Sequence, residues 1–407
     1  MVNTEFLTLA NGIRLVHRRV KSAVAYCGLT INAGTRDELD HEHGMAHFLE
    51  HVLFKGTKNR SSIQISSFLE NEGGDLNAFT TKEETVIHAA ILKSNIGRAF
   101  DIISDIVFNP LFPESGLRKE KEIVRDEINL YKDSPSEQIF DDFEDLVFPN
   151  SSLGRGILGT PASLRSFTSQ KVLDFVHRCY STNQMALSSV SSHSIDQIAV
   201  LAEKYFSHRR TSRHVVKRQK PEPYSVFKKK KKLSTYQVHC LLGNRTFGYN
   251  DDRRYALNLL TNMLGGPSQN SRLSLALRET HGLSYGVDAS TTLYSDCGAT
   301  NIYFGTDKKS VDKCLTLVHD ELSRMCESKL SAAELSKAKK QLIGQLTIAS
   351  ESNEQIMLAL GKTMLAYNKV ELPKEVEEQV KSVTAEQIMD AARVVFDPKK
   401  LSSLIYT

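Results

Sequence analysis

Residues 44–54 read Gly-Met-Ala-His-Phe-Leu-Glu-His-Val-Leu-Phe, and Gly56 closes the run. Ala46, Phe48, Leu49, Val52 and Leu53 supply the packed side of a helix from about Met45 to Phe54. On that helix His47 and His51 stand one turn apart on a shared face. Glu50 lies three residues after His47 and joins the same face. Two neutral imidazoles beside a carboxylate suit a catalytic zinc. The rings bind the ion, and the carboxylate is placed to take a proton from an attacking water.

The order His-x-x-Glu-His inverts the His-Glu-x-x-His of the common zinc peptidases. A pattern this short also recurs on surface helices, so the site needs a third protein ligand from elsewhere. The helix predicted over Glu114–Lys132 carries four candidates: Glu120, Glu122, Asp126 and Glu127. Glu120 and Glu127 are seven apart and stack on one face, next to Ile123, Val124 and Ile128. Lys119, Lys121, Arg125 and Lys132 would equally fit a solvated helix. Periodicity alone leaves the choice among Glu120, Glu122 and Glu127 open.

Outward from this core the chain alternates strand-like and helix-like stretches. Ile13, Leu15 and His17, then Ala23, Ala25 and Cys27, then Leu29, Ile31 and Ala33 alternate as two or three strands. A helix begins near Ser61-Ser62 and stops at Gly73-Gly74, and residues 77–90 read as two strands. Helices are expected over about 97–108, 138–148, 169–180 and 195–206, with a strand over 185–191. Residues 207–232 then turn polar, with Arg209, Arg210, Arg213, Lys217, Arg218, Pro221, Pro223 and the run Lys228–Lys232. That composition reads as an interdomain linker, and the lysine run as a solvated loop or interaction patch. Beyond it a strand over 236–242 precedes helices over 251–264 and 271–280. Strands over 285–293 and 299–306 and helices over 309–326 and 332–350 follow. The repeated order predicts an α+β fold of two similar, duplicated domains, each an antiparallel-rich sheet packed with helices. The division runs 1–214, a basic linker over 215–232, and 233–407.

The 407 residues suit two or three domains at roughly 150 residues each. A 40% hydrophobic and 25% charged composition excludes collagen-like and disordered classes. A net charge of only +4 argues against a nucleic-acid binder. The six cysteines form no Cys-x-x-Cys pair, and the first residues carry no secretory leader pattern. No apolar run reaches the roughly 18 residues of a membrane span. These features point to a cytoplasmic chain with free thiols and no membrane partner.

The sequence resembles the M16 peptidases, the pitrilysin-like inverzincins that include mitochondrial processing peptidase and insulin-degrading enzyme. His47-Phe48-Leu49-Glu50-His51 matches the family's inverted zinc motif. The family places a distal glutamate ligand on a later helix, and 127 − 51 = 76 positions separate His51 from Glu127, similar to that spacing. Glu120 matches a supporting family glutamate seven residues earlier. The resemblance thus implies one zinc held by His47, His51 and Glu127, with Glu50 as base and Glu120 in support. Gly73 to Thr80 resembles the family's edge strand beside the zinc, which implies substrate contact at Asn77, Ala78 and Phe79. Arg278 and Tyr285 fall on the positions that reach the substrate from the C-terminal domain. Residues 265–270, Gly-Gly-Pro-Ser-Gln-Asn, depart from the third glycine and serines frequent in the family.

Members of this length form half of a clamshell chamber and pair as homodimers or heterodimers. This chain carries both the zinc motif and the Arg278/Tyr285 segment, so a homodimer is the simpler expectation. The implied activity is zinc-dependent endoproteolysis of peptides or unfolded segments. The competing expectation is a non-catalytic or assembly subunit of the same fold, acting with a partner chain.

Overall fold

The computed structural model describes residues 4–208, 211 and 215–407. Arg209, Arg210 and Arg213, read above as part of the linker, lie outside the described residues. The chain forms two compact units, and neither is a continuous segment. The first comprises Met1–Leu130, Arg155–Gln219 and Ala349–Glu371. The second comprises Tyr131–Gly154, Lys220–Ile348 and Leu372–Thr407.

The first unit is built on strands β1 (Thr4–Thr8), β2 (Arg14–Arg19), β3 (Val24–Ile31), β4 (Asp75–Thr80), β5 (Thr85–Leu92) and β6 (Met185–Ser191). They form one sheet in the order β1-β2-β6-β3-β5-β4. Only the β2/β6 pair is parallel. Its first helices are α1 (Met45–Leu53), α2 (Ser62–Glu70), α3 (Ile96–Phe108) and α4 (Glu114–Lys132). After α5 (Pro135–Val147) come α6 (Pro161–Ser166), α7 (Ser169–Cys179) and α8 (Ile195–Phe206). Leu29, Ile31, Phe48, Leu49, Ile87, Phe100, Ile103 and Phe175 are fully excluded from solvent in this unit's core. Burial of such side chains contributes roughly 1.5–3 kcal/mol each before entropy is counted.

The second unit is built on β7 (Lys228–Lys231), β8 (Val238–Thr246), β9 (Ser284–Leu293), β10 (Gly298–Thr306) and β11 (Ser402–Tyr406). Their order is β7-β11-β8-β10-β9, with β7/β11 parallel and the rest antiparallel. Helices α9 (Arg254–Gly265), α10 (Val311–Glu327), α11 (Ala332–Ala349), α12 (Asn353–Tyr367), α13 (Pro373–Ser382) and α14 (Ala385–Val395) complete the chain. Where a helix was expected over 271–280, Ser274–Glu279 is π-helical.

Two helices trade places between the halves of the sequence. Helix α12 packs Ile356, Met357, Leu360 and Met364 against Val16, Ala186 and Val190 of the first unit's sheet. Helix α5 packs Ile139, Phe143 and Val147 with Leu241, Ala299 and Leu404 of the second. The single cut expected at 215–232 therefore differs from the units that form. Within that stretch, Arg218 pairs with Asp37 of the first unit through its Nε and Nη2 at 2.9 and 2.8 Å. Lys228–Lys231 is a strand rather than a solvated loop, because the backbone of β11 supplies its hydrogen bonds while all four side chains stay exposed. No helix among the described residues is long and apolar enough to cross a membrane.

Candidate metal centre

Helix α1 follows the central strand β3 through a connection over residues 32–44 whose end is tightly held. Gly44 caps the helix at φ 87°, a left-handed conformation open to glycine at little cost. Its backbone also lies against Gly159: a Cβ on Gly44 would come within 2.7 Å of the Gly159 Cα. The orphan N–H groups of this helix end are met by Glu38, whose Oε2 accepts from Gly44 at 2.9 Å and Oε1 from Ala46 at 2.8 Å. Burial pushes the Glu38 carboxyl up to about 8, against the pull of these two bonds. Arg178 in turn donates to the Asp37 carbonyl at 2.8 Å and pairs with Glu42. Glu38 escaped the sequence reading, since a contact six and eight residues apart has no periodic signature.

With its start secured, α1 turns His47 and His51 toward α4. His47 Nε2 lies 3.6 Å and His51 Nε2 3.5 Å from the same oxygen of Glu127. The ligand atoms these three residues offer all lie within 4.8 Å of one another. Glu127 keeps 43% of its side chain exposed, whereas Glu120 keeps 5%. This separates the two glutamates that share a helix face: one reaches the open site, the other is buried behind it. Glu120 Oε2 meets His51 Nδ1 at 3.1 Å, and its Oε1 meets Lys55 Nζ at 2.7 Å. Glu122 and Asp126, the other candidates, are exposed and face Arg125 instead.

The electrostatics agree with a ligand set. Burial lowers His47 to about 4, with Glu127 opposing and His51 assisting, so its ring is neutral at neutral pH. Burial also resists charging of His51, but Glu127 and Glu120 outweigh it and raise the ring. Glu127 is held below the ordinary carboxylate range first by its hydrogen bond to His51. Glu50, half-buried one residue before His51, is raised by burial against hydrogen bonding from Thr80 of β4.

Two imidazole nitrogens and one carboxylate oxygen are the donor set of many catalytic zinc sites. His51 can offer Nε2 to a metal because its Nδ1 is engaged by Glu120, which selects the tautomer. The buried Nδ1 of His47 has no hydrogen-bond partner among the described residues, so no group fixes its tautomer as Glu120 fixes that of His51. These residues fit zinc.

Asn77, Ala78 and Phe79 lie on β4, which among the described residues pairs with β5 alone and forms an edge of the first sheet. Asn77 donates to Asp75 at 2.6 Å, and Phe79 packs edge-on against His88 with centroids 6.0 Å apart. Arg278 and Tyr285 belong to the second unit, where the guanidinium sits 5.5 Å from the Tyr285 ring centroid. Tyr285 is 84% exposed, so its hydroxyl is spare for a partner.

Residues 15–161 match the family model described as "Insulinase (Peptidase family M16)", and residues 166–342 match "Peptidase M16 inactive domain". His47, Glu50, His51, Glu120 and Glu127 fall in the first match, Arg278 and Tyr285 in the second. The chain is 32% identical over 401 residues to "Uncharacterized zinc protease YmxG" of Bacillus subtilis, covering 98% of this chain and 97% of that protein. It is 31% identical to "Uncharacterized zinc protease Rv2782c" of Mycobacterium tuberculosis, covering 95% and 89%. In fold it is similar to a crystal structure from Pseudomonas fluorescens described as peptidase M16 inactive domain. That pair has a TM-score of 0.93 at 19% identity, covering 100% and 98% of the two chains. A crystal structure of a protease from Helicobacter pylori gives 0.91 at 17%, with both chains fully covered. By whole-length similarity to these zinc proteases, with both matched segments in order, the chain belongs to the M16 peptidase family.

Proposed function

We propose that this chain is a zinc-dependent endopeptidase acting on peptides or unfolded segments. The observation that carries the reading is the convergence of His47, His51 and Glu127 on one point, with Glu50 on the same helix turn as His51. Bound there, zinc would supply Lewis-acid polarisation of the scissile carbonyl and of the attacking water.

The chain's own residues supply the rest. Glu50 takes a proton from the attacking water and later returns it to the leaving amine. Glu120 holds His51 in the tautomer that frees Nε2. The free edge of β4 at Asn77, Ala78 and Phe79 binds an extended substrate by backbone hydrogen bonds, which tolerates many side chains. Arg278 and Tyr285 serve as substrate contacts from the second unit, Tyr285 as a hydrogen-bond donor to the developing oxyanion. Their exposure and the family resemblance support this role. A homodimer, each copy with a complete residue set, is the assembly that fits best.

The test compares wild type with Glu50→Gln by zinc analysis and by cleavage of a quenched peptide library. Glu50→Gln is expected to retain one zinc per chain and lose about 100- to 10,000-fold in turnover. Undiminished, chelator-sensitive cleavage by the variant would overturn the assignment.

A second reading has one observation in its favour: residues 166–342 match a model described as an inactive domain. It makes the chain a non-catalytic or assembly subunit. The intact His47, Glu50, His51 and Glu127 weigh against it. Zinc-loaded wild type that cleaves nothing in the library alone, yet raises cleavage by a related chain, would establish it instead.

A further inference from the structure

We infer that Lys55 is a positioning residue for the metal site: its ammonium holds Glu120 so that Glu120 can orient His51. The inference rests on the zinc reading above and adds a member to it.

Lys55 lies just past the end of α1, after Phe54, so a cation there also suits the carboxyl end of that helix. Its Nζ is 2.7 Å from Glu120 Oε1, while Glu120 Oε2 is 3.1 Å from His51 Nδ1. One carboxylate thus bridges a lysine and a metal-ligand imidazole. Glu120 is 4% exposed. A carboxylate so buried persists only with charged or hydrogen-bonding partners, and these two are the partners it has in the ion-pair geometry. Without Lys55, one oxygen would be left unpaired in a dry site, and the carboxylate would turn or draw in water.

The stem of Lys55 is also part of the helix crossing. Gly116 of α4 sits against it, and a Cβ on Gly116 would approach the Lys55 Cβ to 3.0 Å. The lysine therefore meets α4 one turn before Glu120. Contact and charge act at the same place: the crossing brings α4 to α1, and the ammonium sets which way the Glu120 carboxylate faces.

The prediction is a loss of metal affinity, read directly and apart from hydrolysis. Zinc dissociation constants, measured by competition with a chromogenic chelator, are compared for wild type, Lys55→Met, Lys55→Arg, Glu120→Gln and the Lys55→Met/Glu120→Gln double variant. Removing an outer partner of a metal-bound histidine weakens metal binding by about 10- to 100-fold. Glu120→Gln is expected in that range, Lys55→Met at or below its loss because Lys55 acts through Glu120, and Lys55→Arg, which keeps the cation, close to wild type. The double variant should be no weaker than Glu120→Gln alone, since Lys55 acts through Glu120. Thermal unfolding of the metal-free proteins is followed in parallel, with Lys55→Gln as a polar replacement should methionine disturb folding. Wild-type affinity in both Lys55→Met and Lys55→Gln, or losses that add fully in the double variant, would overturn the inference. His51→Ala separates the two layers: if it binds zinc as tightly as wild type, the metal reading fails and this inference with it.

Discussion

Strands β2 and β7 occupy the same place in two sheets of the same plan and could hardly look less alike. In the first unit the order β2-β6-β3-β5-β4 matches β7-β11-β8-β10-β9 in the second, with one parallel pair, β2/β6 or β7/β11, at the same end. Strand β2 reads Arg-Leu-Val-His-Arg-Arg, buries Leu15, Val16 and His17, and is covered at its edge by β1. Strand β7 reads Lys-Lys-Lys-Lys, is wholly exposed, and ends its sheet. The helix after the central strand differs as sharply. Helix α1 after β3 holds two imidazoles and a carboxylate, whereas α9 after β8 offers arginine, tyrosine, asparagine and threonine as its polar groups. One backbone plan recurs in both units, and the proposed metal donors, like the extra edge strand, lie on one of them.

The sharpest break in this comparison should come from two glycines in equivalent central strands. Gly243 of β8 faces Phe143 of α5, and Gly28 of β3 faces Met357 of α12, each against a helix from the other half of the sequence. A Cβ at Gly243 would lie 2.4 Å from the Thr300 carbonyl oxygen, a backbone atom that cannot step aside. A Cβ at Gly28 would meet the Met357 sulfur and the His88 Cβ at 3.0 Å and the Ile87 carbonyl oxygen at 3.2 Å, contacts that need shifts of only a few tenths of an ångström, and methionine can swing. Gly243→Ala is therefore expected to cost about 3 kcal/mol or more and Gly28→Ala about 1 kcal/mol, read by urea unfolding. Equal losses would show that the close Thr300 carbonyl is not what separates the two sites.

The second prediction concerns the loop before α1, in the unit that carries the proposed metal site. Glu38→Gln should cost about 1 kcal/mol below pH about 8, because the carboxyl there is protonated and, like the amide, keeps one strong acceptor oxygen for Gly44 or Ala46. It should also change the pH profile. Folding raises this carboxyl from its ordinary value of 4.5 to about 8, so the folded state keeps a proton that the unfolded chain releases. The associated stability is fully present below about 4.5 and is lost as pH rises through about 8. Wild-type stability should fall across that window by at most about 1.4 kcal/mol per pH unit from this group, and Glu38→Gln should be flatter. Unfolding of the metal-free proteins at several pH values checks both parts.

The smallest effect on stability belongs to β7. Replacing Lys228 and Lys230 by valine should leave unfolding within about 0.5 kcal/mol, since both side chains are exposed. The same change strips charge from a sheet edge, so sedimentation should reveal new self-association. Valine variants that sediment as wild type would show that lysine is not what keeps this edge apart.

These contrasts explain what could be read in advance. Helices α1 and α4 and the approach of His47 to His51 on one face are legible because helical spacing is rigid and local. The choice between Glu120 and Glu127 is not, since residues seven apart share a face and only the depth of the packed helix tells them apart. Lys55 and Glu38 act across a helix end and a loop, where sequence distance says nothing of spatial distance. Strand β7 has no apolar alternation to betray it and becomes a strand because β11 pairs with it. Residues past 350 gave no assignment: α12 has apolar side chains on several sides, and β11 is short.

The exchanged helices bear on how the chain is made. Residues 349–371 complete the unit that begins the sequence, so its sheet stays bare on one side through most of synthesis. A ribosome must have released most of the second unit's sequence before the first can close. A fragment cut at the linker would thus lack α12, the helix that covers Val16, Ala186 and Val190 of the first sheet.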